Sequence, residues 1–110
     1  SLRLVKDTVV LYDLCQPVLE DTKALLKTGV ELTQDIAPNL PVIRADAERL
    51  KQILRNILGN AAKFTERGSV GLEVALDEKE EFVVFKVSDT GAGIPPEQEK
   101  KIWGAFNQGD

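Results

Sequence analysis

The sequence predicts a two-layer α/β sandwich, with helices on one face of a mixed, largely antiparallel sheet. Three patterns support this fold class. Residues 46–64 carry a strong helical repeat of apolar side chains, residues 68–76 and 82–88 are two β-rich runs around a charged turn, and a helix-like segment flanked by short strands precedes them. A chain of 110 residues suits one small domain with a single core.

The first elements are predicted to be a strand, a helix and a second strand. Residues 9–11 form a short β-rich run, and Asp13 is placed to cap a helix that runs to about Leu26, with Pro17 tolerated in its first turn. Residues 30–36 then alternate apolar and polar side chains, which indicates a half-exposed strand.

The middle of the chain is predicted to hold a short strand, the longest helix and a hairpin. The strand lies at residues 42–43, and Asp46 caps the helix, which runs to about Phe64. The β-rich runs at residues 68–76 and 82–88 are expected to pair across the charged turn as an antiparallel hairpin.

The last part of the chain is predicted to be a glycine-rich loop followed by a short helix. The loop covers residues 89–95, and Pro96 is placed to open the helix. This helix would carry Ile102, Trp103 and Phe106 on roughly one side.

Composition excludes several classes of function. The net charge of −4 comes from interleaved acidic and basic residues without a basic stripe, so nucleic acid is not expected as a partner. The absence of His excludes an imidazole base, a His metal ligand and a phosphorylatable His in this segment. With Cys15 as the single cysteine, no signal peptide and no apolar run that could span a bilayer, the segment is expected to be cytoplasmic and without direct membrane contact.

A polar stripe on the longest helix is the first candidate site. On a helical wheel, Asn56, Asn60 and Lys63 lie together with Arg49 at the edge of an apolar arc. The arc consists of Leu50, Ile53, Leu54, Ile57, Leu58 and Ala61. An amide oxygen can ligate Mg²⁺ and a lysine can neutralise a phosphate, so the stripe could hold a metal and its nucleotide. Polar residues are also ordinary on the outer side of an amphipathic helix, and both interpretations stay open at this point.

The glycine-rich loop is the second candidate site. Asp89 follows a β-rich run and offers a carboxylate that can accept a hydrogen bond from an exocyclic amine. Gly91 and Gly93 let the backbone approach a flat ligand, and Ile94 could line an apolar slot for its ring. Glycines after a strand are equally common in ordinary turns, so the loop alone does not identify a ligand.

An aspartic protease is a competing interpretation of this loop. Residues 89–92 match the catalytic turn of retroviral-type aspartic proteases, in which two chains each supply one Asp. Such a protease needs strands and a flap after the turn, but only about twenty residues follow it here. The long helix before the turn also contradicts an all-β fold, and we reject this interpretation.

Three segments, in this order, resemble the motifs of sensor histidine kinases. They are residues 49–65 (RLKQILRNILGNAAKFT), 89–95 (DTGAGIP) and 103–110 (WGAFNQGD), which are similar to the N box, the first glycine box and the F box. Each motif is modest alone, but the ordered set is highly specific and the resemblance extends along nearly all of the chain. It implies the Bergerat fold, an α/β sandwich shared with type II topoisomerases, mismatch-repair ATPases and heat-shock chaperones.

The resemblance implies an ATP site whose phosphate end lies on the long helix. Asn60 would ligate the Mg²⁺ that bridges the phosphates, Asn56 would lie near the triphosphate, and Lys63 would contact phosphate. The ATP-hydrolysing relatives carry a Glu general base where this sequence has Asn56, and an amide cannot take a proton from water. Slow hydrolysis is therefore expected, together with transfer of the γ-phosphoryl group to an incoming His.

The adenine end of the implied site lies in the glycine-rich loop. Asp89 would bind the adenine amino group, while Gly91 and Gly93 would leave room for the ring and its water. Ile94 would pack beside the ring, and Phe106 would anchor the base of a mobile lid.

The same resemblance implies partners outside this segment. The phosphoacceptor His would lie on a helical dimerisation domain of the same protein, a response regulator would act downstream, and the isolated segment is expected to be inactive. The alternatives are another Bergerat-fold ATPase, a serine kinase of the anti-sigma type, and a truncated domain that only binds partners.

Residues 1–110 are expected to form only part of the family's domain. The second glycine box, the lid, a further helix and the final hairpin of the family would follow Asp110. Without them one face of the sheet would be exposed, so a domain of this length is expected to be weakly stable or to cover that face with another copy of itself.

Overall fold

A computed structural model describes the backbone of residues 7–89 and 97–103, and the side chains of residues 7–89. Among these residues, no helix has the length and apolar character needed to cross a membrane. The elements, in chain order, are β1 (Asp7–Val9), α1 (Leu11–Leu25), β2 (Val30–Ile36), β3 (Ile43–Ala45), α2 (Ala47–Phe64), β4 (Gly68–Leu76), β5 (Phe82–Asp89) and β6 (Glu97–Trp103).

The described strands form a larger sheet in the order β2-β4-β5-β6 and a small sheet of β1 and β3. Strands β2 and β4 are parallel, whereas the pairs β4–β5 and β5–β6 are antiparallel. The predicted hairpin is confirmed, with Val74 opposite Phe85. The larger sheet is therefore mixed and largely antiparallel, as the sequence predicted.

The core lies between the two helices and one face of the larger sheet. Alternate residues of β4 and β5 are buried, because successive side chains on a strand point to opposite faces. The buried residues of these strands are Val70, Leu72, Val74, Val83, Phe85 and Val87. On α2 the buried positions recur at helical spacing, and Leu54 and Leu58 are fully buried. The predicted two-layer architecture is thus confirmed.

Helix α2 begins where the sequence predicted. The side chain of Asp46, the residue before the first helical position, accepts a hydrogen bond from the backbone N–H of Arg49 at 3.0 Å. The helix ends at Phe64, and the backbone N–H of Thr65 donates to the carbonyl of Ala61 at 3.1 Å. These two contacts satisfy backbone groups at the helix ends that have no partner within the helix.

The two shortest strands are shifted from their predicted positions because they pair with each other. Val9 lies opposite Ile43, so β1 ends at Val9 and β3 begins at Ile43. Val10 then precedes α1, and Leu11 becomes the first helical residue, with 2% of its surface exposed. Burial of Leu11 favours the earlier helix start.

The predicted cap of α1 was wrong. Val10 occupies the cap position without a side-chain hydrogen bond. Asp13 lies inside the first turn, where its negative charge interacts favourably with the positive end of the helix dipole. Pro17 lies inside the helix rather than in its first turn. Because Pro17 is exposed, the carbonyl that loses its helical partner lies on the solvent side.

The helix predicted after Pro96 was also wrong for residues 97–103. These residues form β6, which pairs with β5 so that Ser88 lies opposite Glu97 and Phe82 opposite Trp103. A seven-residue helix is marginal without tertiary support, whereas the edge of β5 offers a row of backbone hydrogen-bonding groups. Phe106 lies outside the described residues.

Candidate functional site

The polar stripe of α2 lies on the solvent side of the helix. Asn56, Asn60 and Lys63 are all exposed, while Leu54 and Leu58 on the opposite side are fully buried. At 1.5 Å per residue, Asn56 and Lys63 are separated by about 10 Å along the helix axis. The stripe therefore presents two amides and an ammonium group along one open surface.

Lys63 is held beside the aromatic ring that ends the helix. Its Nζ lies 5.3 Å from the centroid of the Phe64 ring, which is within the range of a cation–π contact. Phe64 is 47% exposed. A contact at such an exposed position contributes only about 0.5–1 kcal/mol, so an anionic ligand could draw the ammonium group away from the ring.

Asp89 is placed by the register of the hairpin. It is the last residue of β5 and lies opposite Val70, near the start of β4. Both of its carboxylate oxygens are buried, and neither has a hydrogen-bond partner in the described part of the chain. A buried carboxylate without donors is costly, and a ligand that donates a hydrogen bond would remove that cost.

Thr65 is a buried polar residue that the sequence did not single out. It is fully buried at the end of α2, and its Oγ1 also lacks a hydrogen-bond partner within the described residues. Threonine is ordinary after a helix, so the residue type alone gave no signal. Its position directly after Lys63 and Phe64 is the only hint that the sequence offered.

The fold brings the end of α2 and Asp89 to the same end of the sheet. Helix α2 ends at Phe64 and the chain enters β4 at Gly68, whose strand begins beside the end of β5. The carboxyl-terminal part of α2, with Asn60 and Lys63, therefore lies at the sheet end that carries Asp89.

The remaining predicted site residues lie outside the part of the chain that the structure describes. They are Gly91, Gly93, Ile94 and Phe106. Their roles in binding the ring and in anchoring a lid stay predictions.

Residues 45–110 match the model of a protein family described as histidine kinase-, DNA gyrase B- and HSP90-like ATPase. The chain is 36% identical over 105 residues to the adaptive-response sensory kinase SasA of Thermosynechococcus vestitus, covering 94% of this chain and 28% of that protein. It is 33% identical over 114 residues to two-component system protein A of Emericella nidulans, covering 98% of this chain and 17% of that protein. The chain thus spans less than a third of the length of these relatives.

Two solved structures, those of ShkA and MprB, share the fold. Full-length ShkA in complex with AMPPNP superposes with a TM-score of 0.76 at 38% identity, over 86% of this chain and 20% of that one. The mycobacterial sensor histidine kinase MprB gives a TM-score of 0.67 at 25% identity, over 83% of this chain and 59% of that one.

Proposed function

The chain belongs to the family of histidine kinase-, DNA gyrase B- and HSP90-like ATPases, and from this membership we propose that it is the ATP-binding part of a two-component sensor histidine kinase. In this proposal it presents the γ-phosphate of Mg-ATP to a His on a separate dimerisation domain. The observation that carries the proposal is the buried carboxylate of Asp89, whose oxygens have no partner among the described residues. The sensory kinase SasA and the sensor histidine kinase MprB among its relatives support the choice of kinase over the other members of the family.

Asp89 fits the base of the nucleotide. A carboxylate only accepts hydrogen bonds, and the exocyclic amine of adenine donates them. A hydrogen bond to an ionised acceptor is stronger than one between neutral groups, and burial excludes competing water. Gly91, Gly93 and Ile94 are proposed to surround the ring, and Phe106 to anchor the lid, as the sequence predicts.

The α2 stripe fits the phosphates. Lys63 would neutralise phosphate charge, and Asn60 would offer an amide oxygen to Mg²⁺, a cation that prefers oxygen ligands. Within residues 7–89, no group of three or more His, Cys, Asp and Glu side chains is placed to hold a metal ion. We therefore propose that the ion arrives with the nucleotide, since Mg²⁺ is commonly bound through substrate phosphates and few protein ligands. When bound, it would balance the charge that develops on the transferring phosphoryl group.

Asn56 determines what the bound nucleotide can do. It would lie beside the triphosphate, but its amide has no basic site that could take a proton from an attacking water. Hydrolysis is therefore unassisted, and the chain's own residues only bind and orient the nucleotide. The nucleophile has to come from elsewhere because this chain contains no His.

The whole protein would then act as a phosphotransferase in a two-component pathway. The His-bearing dimerisation domain would receive the phosphoryl group, and a response regulator would take it onward. We place the reaction in the cytoplasm, and we expect the isolated chain to bind ATP without transferring phosphate.

A calorimetric titration of the chain with ATP and ADP, with and without Mg²⁺, tests the proposal. We expect binding that is weakened more than about tenfold by Asp89→Asn, because the variant replaces an ionised acceptor by a neutral amide. Asp35→Asn, at an exposed position of β2, is the matched control and should bind like the unchanged chain. A folded chain that binds neither nucleotide, or an Asp89→Asn variant that binds normally, would contradict the proposed site.

A further inference from the structure

Thr65 has an unusual environment for a buried threonine. Its side chain is fully buried, yet Oγ1 has no hydrogen-bond partner among the described residues. Thr22 on α1 is a direct comparison, since it is only 2% exposed and its hydroxyl donates to the carbonyl of Val18 at 2.8 Å. The hydroxyl of Thr22 is thus satisfied within its own helix, and that of Thr65 is not.

The backbone conformation at the end of α2 explains why the hydroxyl of Thr65 does not donate to a carbonyl of its own helix. At the end of α2, the backbone N–H of Thr65 donates to the carbonyl of Ala61, four residues earlier. The backbone of Thr65 is extended, with φ −91° and ψ 117°, so its side chain has left the helical position that Thr22 occupies. A buried hydroxyl without a partner lowers stability, and valine would fill the same space without that cost.

The second observation is where the other unpartnered oxygens lie. In the part of the chain that the structure describes, the buried side-chain oxygens without a partner belong to Thr65 and Asp89. Thr65 lies three residues before β4 begins, and Asp89 lies opposite Val70, near the start of the same strand. Both residues are therefore at one end of the sheet, beside the end of α2.

We infer that Thr65 is a second base-recognition residue, whose hydroxyl reads the edge of adenine next to the amine that Asp89 binds. This inference rests on the proposed ATP site. The carboxylate of Asp89 only accepts, and it suits the exocyclic amine. The hydroxyl of Thr65 can donate, and it suits the neighbouring ring nitrogen, which carries no hydrogen, either directly or through one ordered water.

The pair of residues would distinguish adenine from hypoxanthine. Hypoxanthine presents a carbonyl in place of the amine and an N–H in place of the bare ring nitrogen, so its pattern of donors and acceptors is reversed. Asp89 would then face a carbonyl oxygen, which leaves two acceptors unpaired at a buried position. The hydroxyl of Thr65 can rotate to accept from this N–H, but its own hydrogen then has no acceptor among the described residues. Thr65 therefore contributes a smaller part of the rejection, and Asp89 provides most of it.

The test compares Thr65→Val with Thr65→Ser in the whole chain. We expect Thr65→Val to unfold at the same or a higher denaturant concentration, because it removes an unsatisfied hydroxyl, and to bind ATP about fivefold more weakly. Thr65→Ser keeps the hydroxyl and should retain most of the affinity. Thr22→Val, which removes a buried hydroxyl with a partner, should lower stability and leave ATP affinity unchanged.

Inosine triphosphate provides a second measurement. The preference for ATP over inosine triphosphate should fall in Thr65→Val and remain in Thr65→Ser. If Thr65→Val binds ATP like the unchanged chain, with the same preference, Thr65 has no part in recognition and the inference is wrong, even where Asp89→Asn still abolishes binding. If the unchanged chain binds no ATP, or if Asp89→Asn binds normally, the proposed function fails first and this inference fails with it.

Discussion

Asp46 accepts a hydrogen bond from the backbone N–H of Arg49 at 3.0 Å, whereas Asp13 lies inside the first turn of α1, which has no side-chain cap. We expect Asp46→Ala to lower the free energy of unfolding by about 1 kcal/mol, because it removes the side-chain acceptor at the start of α2. Asp13→Ala should cost less, and Asp46→Ser should retain most of the stability. Urea unfolding of the three variants measures the difference, and an equal loss for Asp46→Ala and Asp13→Ala would contradict the capping role.

Asp46 and Asp13 show a limit of predicting helix starts from the sequence. Both are Asp residues before an apolar helical repeat, so a local pattern cannot tell them apart. The start of α1 is instead determined by Leu11, which is buried in the core, and by the pairing of Val9 with Ile43. The long helix and the hairpin were predicted with nearly correct bounds because their periodicities are local and strong.

Strand β6, in contrast, was not predicted from the sequence. The sequence of residues 97–103 contains a helix-start signal at Pro96 and no alternation typical of a strand. Its strand conformation follows from the edge of β5, with which it pairs along seven residues. Pairing with another strand, even the preceding one, is a tertiary effect, and the pattern of residues within β6 does not contain it.

Lys63 is expected to contribute to ATP binding through its charge. We expect Lys63→Gln to weaken ATP binding about tenfold and to leave adenosine binding unchanged, because only the former ligand carries phosphates. Arg67→Gln, which removes an exposed positive charge in the turn after α2, is the control and should have a smaller effect. Both titrations should be done at low and at high salt, since the effect of an exposed charge decreases with ionic strength. An equal loss of affinity for ATP and adenosine would show that Lys63 does not act on the phosphates.

The candidate site, like the fold, was predictable from the sequence only where it depends on a local repeat. Asn56, Asn60 and Lys63 share one side of a helix, and a helical wheel predicts that from the sequence. The burial of Thr65 depends on how the end of α2 packs against the strands, and no local pattern reports it. The structure therefore shows a buried hydroxyl at Thr65 that the sequence did not indicate, while the roles of the glycine box stay predictions.

Cys15 is expected to make stability depend on alkaline pH. Burial raises the pKa of its thiol from 9.0 to about 12. Because the pKa of the thiol is higher in the folded state than in the unfolded chain, the folded state holds the proton more tightly. The resulting contribution to the unfolding free energy is complete below about pH 9 and is lost as the pH rises towards 12. We expect the unfolding free energy of the unchanged chain, relative to that of Cys15→Ala, to fall by about 1–2 kcal/mol by roughly pH 10.5.

Urea titrations of the two proteins between about pH 8 and pH 11 measure this difference. Other groups titrate in the same range, but they are common to both proteins and cancel. A parallel pH dependence in both proteins would mean that the thiol is accessible to water in the folded chain. Rapid alkylation of the folded chain at about pH 8 would lead to the same conclusion, because only the thiolate reacts.

Asn56 provides the last prediction, since it separates binding from hydrolysis. We expect Asn56→Glu to raise the rate of ATP hydrolysis by about tenfold or more, because a carboxylate near the triphosphate can take a proton from water and an amide cannot. Gln52→Glu, one helical turn earlier at an exposed position of α2, is the matched control and should leave the rate at its low background. Release of inorganic phosphate, measured at saturating Mg-ATP, gives the rate for all three proteins. An equal increase in both variants would indicate a general effect of charge. A high rate in the unchanged chain would contradict the role proposed for Asn56, because the chain would then hydrolyse ATP without a carboxylate at that position.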